Sequence, residues 1–391
     1  MKKSLLALAI IAASTTATAA TVYDKDGTSL AVGGRVQSVV YNGNGGAAVQ
    51  GENGIADHDA GLVNSARLNI EGNTKINDYV SAFAFSEWDM ADGNKTANGD
   101  NISTREQYVG ADLGDFGKLL VGKTYDAANE VLAATDVFED FGARLQGSIN
   151  GDRRTGMFRY VYDNNDFFGS ASYETAADET TVQGEDYDVE GGFALSAGYT
   201  IDDVVFGPLS FKAGYSYVKG QDDFTKTIKV GDDGWSLGSF DTFKIISASI
   251  SWGSTDNGLY IGALYNTQRM KQRSNGFTFD DGVNEPVYGV SNSSFATKVK
   301  GYEFVVGYTF ENGIGAFTGY NLSDVKLKEG SFNKDSAIYR RVPVYVNYAI
   351  NDNFNIWGEA EFDANSTTEK DHQLQGGETG TMLSAGARYT F

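Results

Sequence analysis

The sequence predicts an all-β chain that crosses a membrane as an antiparallel β-barrel of sixteen strands. Three observations lead there. The N-terminus has the order of an export leader, apolar and polar residues alternate with period two along most of the remaining chain, and the connectors between the alternating runs are short and long by turns.

The leader comes first in the chain. Lys2 and Lys3 precede an apolar stretch from Leu5 to Ala13, and small residues follow at Ala17-Thr18-Ala19, the order of a secretory signal peptide. Cleavage after Ala19 divides the chain into a signal peptide, residues 1–19, and one barrel domain, residues 20–391. A membrane-anchoring helix needs about 20 apolar residues, and Ser14-Thr15-Thr16 interrupts this stretch after roughly half that length. Without Lys2 and Lys3 the chain keeps 29 basic residues against 52 acidic ones, a net charge of −23. So acidic a protein is a poor partner for nucleic acid. It has no cysteine, which excludes a small disulfide-stapled fold. Its 48 glycines, 3 prolines and 13% aromatic residues recur evenly, with no composition shift to mark a linker.

The alternation is clearest at the end of the chain, where Leu383, Ala385, Ala387, Tyr389 and Phe391 share one face and Ser384, Gly386, Arg388 and Thr390 the other. Tyr302, Phe304, Val306, Tyr308 and Phe310 repeat it against Gly301, Glu303, Gly307 and Thr309. Further apolar rows run through Phe193 to Ile201, Phe211 to Tyr217 and Ile246 to Trp252. Tilted spans of about 9–11 residues suffice to cross the hydrocarbon core, and Tyr348, Phe354, Phe310 and Tyr389 suit aromatic girdles at the strand ends. The mean hydropathy of −0.32 is no objection, because strands that alternate lipid-facing and lumen-facing residues average to a mild value. A soluble β-sandwich would also alternate, but rows such as Ser247, Ser249, Ser251 and Asn355, Glu359, Glu361 are too polar for a dry core and suit a watery lumen.

The connectors carry the topology. Residues 76–78, 115–117, 164–166, 255–257, 311–313 and 351–353 have the composition of tight turns. Long polar stretches lie between them, at 43–61, 91–103, 126–152, 177–190, 220–241, 272–298, 328–336 and 365–378. Short turns at one rim and long loops at the other are the asymmetry of an outer-membrane barrel.

Catalysis has little support. His58 and His372 both fall in predicted loops with no nucleophile motif near them, and no metal-ligand spacing, phosphate loop or cofactor motif is present. The acid-rich segments Glu185-Asp186-Tyr187-Asp188 and Asp222-Asp223 are expected as solvated loop faces. The lumen offers more. Arg35 shares parity with Gln37, opposite Val36 and Val40, and Arg67 shares it with Ser65 and Asn69, opposite Leu68 and Ile70, so both guanidinium groups point inward. Arg105 and Lys123 come on the next strands, with less clean parity because Val109 and Val121 sit in register with them. If the long connector around 126–152 folds inward, Asp136, Glu139 and Asp140 oppose this basic wall across a narrow gap, and the opposed charges order water and dipolar solutes. The same residues would equally serve as ordinary charges on strand ends and a loop, and periodicity does not choose between the two.

Several segments resemble the trimeric general porins of enteric-type bacteria. Ala20-Thr21-Val22-Tyr23-Asp24-Lys25-Asp26-Gly27 with Gly34-Arg35 is similar to their opening, and Ala66-Arg67-Leu68 with Glu71 to Asn77 to their second strand and first turn. Thr104-Arg105, Phe116-Gly117-Lys118 and Gly122 to Asp126 continue the likeness, and Tyr389-Thr390-Phe391 resembles their terminal assembly signal, carried by Tyr389 and Phe391. The resemblance implies a homotrimer of water-filled channels in the Gram-negative outer membrane, passing ions and small hydrophilic solutes passively. It implies lipopolysaccharide and membrane lipid around the barrel, the barrel assembly machinery as a partner, and no cofactor or metal. It also implies that the third loop folds into the lumen and forms the constriction, with the basic role on Arg35, Arg67 and Arg105 and the acidic role on Asp136 and Asp140. A further basic position falls at Arg153 or Arg154, with Arg154 taken for the wall. The chain departs from the family's Pro-Glu-Phe-Gly by reading Glu139-Asp140-Phe141-Gly142, which adds a negative charge at the loop tip. The acidic excess predicts a mild cation preference. A solute-specific porin would differ only in its lining, an outer-membrane hydrolase would need an assembled histidine site, and an energised transporter would need a plug domain ahead of the first strand, where alternation already begins near Leu30.

Overall fold

Inside a bilayer every backbone N–H and C=O must be paired within the protein, and strands achieve this only when a neighbour lies on both edges. The chain meets that demand by closing. The computed structural model describes residues 19–42, 61–91, 102–142, 153–164, 166–182, 185–221, 225–230, 233–238, 240–272, 278–280, 287–288, 295–329, 332–365 and 380–391. The expected signal peptide, His58, His372 and Asp222-Asp223 lie outside the described residues, apart from Ala19.

The described residues form a closed barrel of sixteen antiparallel strands. In chain order these are β1 Thr28–Tyr41, β2 Gly61–Lys75, β3 Ser81–Ala91, β4 Ile102–Asp112, β5 Lys118–Thr124, β6 Arg154–Asp163, β7 Phe167–Glu174 and β8 Glu185–Val204. The second half continues with β9 Gly207–Gly220, β10 Phe240–Gly253, β11 Gly258–Gln272, β12 Phe295–Thr309, β13 Ile314–Glu329, β14 Phe332–Ala349, β15 Phe354–Asp363 and β16 Met382–Thr390. Each pairs with its sequence neighbours, and β16 closes the ring on β1 from Arg35↔Thr390 to Tyr41↔Ser384. The segment Ala20–Lys25 turns at Asp26 and Gly27 and pairs with the start of β1, so the first and last described segments lie along one edge of the same strand. Phe391 and Gly34 exchange backbone hydrogen bonds of 2.9 and 2.8 Å at the junction.

The predicted outward rows are the exposed ones. Phe193, Leu195, Tyr199 and Ile201 on β8, Tyr302, Phe304 and Tyr308 on β12, and Leu383 and Tyr389 on β16 all present their side chains to the outside. Among the described residues no helix is long and apolar enough to cross a membrane, and the crossing is made by strands.

Four of the expected loops contain sheet. In the range 328–336, β13 and β14 continue to pair as far as Glu329↔Phe332. Ala177–Val182 pairs with the start of β8, which places Glu185 to Asp188 in a strand with Tyr187 buried, not on a solvated loop. Thr225–Val230 and Asp233–Gly238 form a hairpin, extended by Thr278–Asp280 and Val287–Tyr288 into a separate four-stranded sheet. Above the membrane both faces of a strand can be polar, so the alternation that marks a spanning strand fades while backbone pairing continues.

One tight turn is absent from the predicted set, although Asp202-Asp203 and Gly207-Pro208 flank it. Val205 and Phe206 link β8 to β9 in a three-residue turn closed by Phe206 N–H to the Val204 carbonyl at 2.8 Å. Val205 has φ 60°, a conformation that a β-branched residue adopts under strain. Trp252 holds the turn by donating to the same carbonyl at 2.6 Å and stacking on Phe206 at 4.0 Å. Val205→Gly is therefore expected to stabilise the barrel by about 1 kcal/mol, the relief of strain exceeding the added chain entropy. Urea unfolding in detergent, followed by tryptophan fluorescence, checks it.

Candidate pore constriction

The connector after β5 enters the barrel. Asp126 caps a 3-10 helix, Ala127–Ala134, by accepting from Ala128 N at 2.9 Å. This helix packs on the inner faces of β6 to β11. The seat is made of small inward residues. Ser172 accepts from Ala127 N at 2.9 Å, Ser196 donates to the Ala127 carbonyl at 2.5 Å and Ser216 donates to Asp126 at 2.7 Å. A side chain at Gly262 would place its Cβ 2.0 Å from the Ala134 carbonyl oxygen, so only glycine allows the approach. Ser247 and Ser249 are buried on the same side. The polarity of these serine rows thus reflects a seat for a folded-in loop as well as a wet lumen.

The loop then crosses the lumen and docks its tip on the opposite wall. Thr135 donates to Glu303 at 2.5 Å, and Tyr260 donates to the Ala134 carbonyl at 2.8 Å. Phe141 is fully buried among Tyr41, Tyr345, Trp357 and Met382. Glu359 of β15 accepts three consecutive backbone N–H groups, from Glu139, Asp140 and Phe141, each at 2.8 Å. Charge-assisted bonds to a carboxylate are the stronger kind, and three from one turn fix its direction.

Asp140 does not face the arginines. Its carboxylate accepts from Tyr41 Oη at 2.8 Å, Trp357 Nε1 at 2.9 Å and Ser384 Oγ at 2.5 Å, which makes it a second anchor of the tip. Glu139 is the acid that meets the basic wall. It pairs with both terminal nitrogens of Arg388 and stands 4.0 Å from Arg35. Asp136 is exposed within the loop and lies within electrostatic reach of Tyr125.

On the wall, Arg35 of β1 sits directly opposite Arg67 of β2, and Arg388 of β16 donates to Gln37 at 2.8 and 2.9 Å. Arg105 reaches the same side through a β-bulge. Glu87 pairs with Glu106 and Trp88 with Thr104, so Arg105 is an extra residue that leaves the register of Val109 and turns inward. Its Nε lies 2.8 Å from Glu87 and its Nη1 2.7 Å from Asp89. Lys123 stands beside the row, within electrostatic reach of Arg153 and Arg105. It keeps the register of Val121, lies opposite Gln107 and donates to the Thr104 carbonyl at 2.7 Å.

Arg154 departs from its expected place on the wall. It is only 3% exposed, behind the loop, with Asp126 at 3.4 Å and Glu174 at 3.2 Å. Arg153 takes the inner position, 3.9 Å from Glu106 and over the Tyr125 ring at 4.3 Å. Burial lowers the pKa of Arg153 and raises that of the Tyr125 phenol. Arg388 was legible from parity, since it alternates with Tyr389 and Ala387, as was Glu359 in its row with Asn355 and Glu361. What no periodicity shows is which inward residue meets the loop.

The comparisons agree with this architecture. A family model described as Gram-negative porin matches residues 5–368. The chain is 27% identical over 370 residues to the outer membrane porin PhoE of Enterobacter cloacae, covering 90% of this chain and 93% of that protein. Its fold is similar to the solved structure titled Salmonella typhi OmpF complex with daunomycin, with a TM-score of 0.67 at 16% identity over 95% of this chain and all of that one. It is also similar to the in-vitro folded OmpT of Vibrio cholerae in its trimer form, with a TM-score of 0.63 at 15% identity, covering 94% of this chain and all of that one. A closed barrel whose third loop crosses the lumen, matched along most of its length by the family, is a channel and not an enzyme: the chain belongs to the Gram-negative porins, outer-membrane β-barrels for passive diffusion.

Proposed function

We propose that this porin is a homotrimer of independent water-filled pores, each passing ions and small hydrophilic solutes with a mild preference for cations. The observation that carries the reading is the loop bridged across the lumen, with Glu139 at its tip meeting Arg35 and Arg388 of the wall. Opposed fixed charges in a confined aqueous passage favour hydrated, dipolar solutes over apolar ones. The constriction is assigned to Arg35, Arg67, Arg105, Arg153 and Arg388 on the wall and to Glu139 and Asp136 on the loop. Asp140 and Glu359 hold the loop in place. Support for cation preference comes from the net charge of −23 without the leader and from the extra acid at the tip. Support for the trimer comes from the trimer form named for the Vibrio cholerae relative.

Residues 1–19 serve as the export signal, and Tyr389 and Phe391 present the terminal signal to the barrel assembly machinery, with lipopolysaccharide packed around the outer rim. In planar bilayers the purified protein is expected to open in steps and close in thirds. Its reversal potential in a salt gradient should indicate cation preference, and Glu139→Gln should reduce that preference about twofold, the effect of one charge a few ångströms from the ion path. Flux of several sugars should rise linearly with concentration; saturation for one of them would replace the general channel with a solute-specific one.

A further inference from the structure

The basic wall contains its own acids. Glu87 and Asp89 project inward from β3, between the strands that carry Arg67 and Arg105. Asp89 is the direct cross-strand partner of Arg67, with Oδ1 2.9 Å from Arg67 Nε, and its other oxygen lies 2.7 Å from Arg105 Nη1. Glu87 lies 2.8 Å from Arg105 Nε and 3.8 Å from Arg67 Nε. Each carboxylate therefore contacts both arginines, and the four side chains form a lattice of two positive and two negative charges.

Exposure decides which charge the passage meets. The Asp89 side chain is 33% exposed, against 11% for Arg67, 19% for Arg105 and 5% for Glu87. The most accessible member of the lattice is thus an acid, with the arginines drawn back against the sheet. A neutral lattice has a field that falls off faster than that of a single charge, so at the distance of a hydrated ion Arg67 and Arg105 act as nearly cancelled. Arg35 and Arg388, with Glu139 between them, and Arg153, beside Glu106, are left as the cationic part of the wall.

We infer that Asp89, supported by Glu87, is a specificity-determining residue of this pore: it neutralises Arg67 and Arg105 and turns a wall that would recruit anions into one that admits cations. The inference rests on the proposed channel function. It places the selectivity on the barrel wall, where the sequence had placed only basic groups opposite an acidic loop. Small anionic solutes, such as inorganic phosphate or dicarboxylates, are excluded by the same residue.

The test is the reversal potential across a bilayer in a potassium chloride gradient, for the wild-type trimer and four variants. Asp89→Asn should lower the cation-to-anion permeability ratio about threefold, as expected for uncovering one charge within several ångströms of the ion path. Asp89→Glu, which keeps the charge, should hold the wild-type ratio. Arg67→Gln uncovers Asp89 from the other side and should raise the ratio, so the inference stands on more than one folded variant. Asp241→Asn removes an acid far from the lattice, one that pairs with Lys271 at 2.7 Å at the end of β10, and should change nothing. An unchanged ratio in Asp89→Asn, or equal shifts in Asp89→Asn and Asp241→Asn, would overturn the inference while leaving the channel intact. Absence of conductance in the wild type would overturn the channel reading itself.

Discussion

Replacing Arg154 with Met is expected to destabilise the barrel by about 3–5 kcal/mol, the usual cost of removing one partner from a buried ionic group. Asp126 and Glu174 would be left as buried carboxylates with their shared cation gone. Asp126 is also the cap of the loop helix and the acceptor of Ser216, so the disturbance reaches the base of the inward loop. The double variant Arg154→Met/Glu174→Gln should recover part of the loss, because it leaves one buried charge where the single variant leaves two. Urea unfolding in detergent measures both. The ion preference of the single variant should be unchanged, since Arg154 lies behind the loop; a shift in reversal potential at unchanged stability would instead return Arg154 to the pore lining.

Glu359→Ala is expected to free the tip of the loop. A hydrogen bond to a charged group contributes about 1.5–3 kcal/mol, and this substitution removes three, from consecutive residues 139–141. The second anchor, Asp140 with Tyr41, Trp357 and Ser384, remains, and so does the burial of Phe141. The barrel should therefore still fold while the tip moves between positions, seen as larger and noisier single-channel currents. Glu359→Gln keeps one acceptor oxygen and should fall between the two. Unaltered current in Glu359→Ala would mean that packing around Phe141 suffices to hold the tip.

The barrel was legible because one physical constraint, lipid outside and polar groups inside, repeats at every spanning strand. Where that constraint ends the reading weakens: the pairing of β13 with β14 out to Glu329↔Phe332 and the sheet from Thr225–Val230 to Val287–Tyr288 lie in polar sequence that only the backbone pairing identifies. The turn at Val205 was missed because its central residues are apolar, with the turn-type residues Asp202-Asp203 and Gly207-Pro208 only at its flanks, and because it is held by Trp252 from another strand. Parity puts Arg35 and Arg67 on one face, where they are direct cross-strand partners, but the bulge that turns Arg105 inward depends on register with β3. The roles of the two tip acids could not be separated by sequence either. Glu139 and Asp140 are adjacent, and which one meets the arginines depends on where Tyr41, Trp357 and Ser384 lie, on three other strands.

The chain has no cysteine, which opens a direct measurement of whether the loop tip borders the ion path. In Glu139→Cys the only thiol would stand at the tip, beside Arg35 and Arg388. Addition of a bulky, water-soluble thiol reagent to an open trimer in a bilayer should lower its conductance in three discrete steps, one for each pore. Complete labelling, shown by mass, with conductance unchanged would place the tip away from the passage and contradict the account.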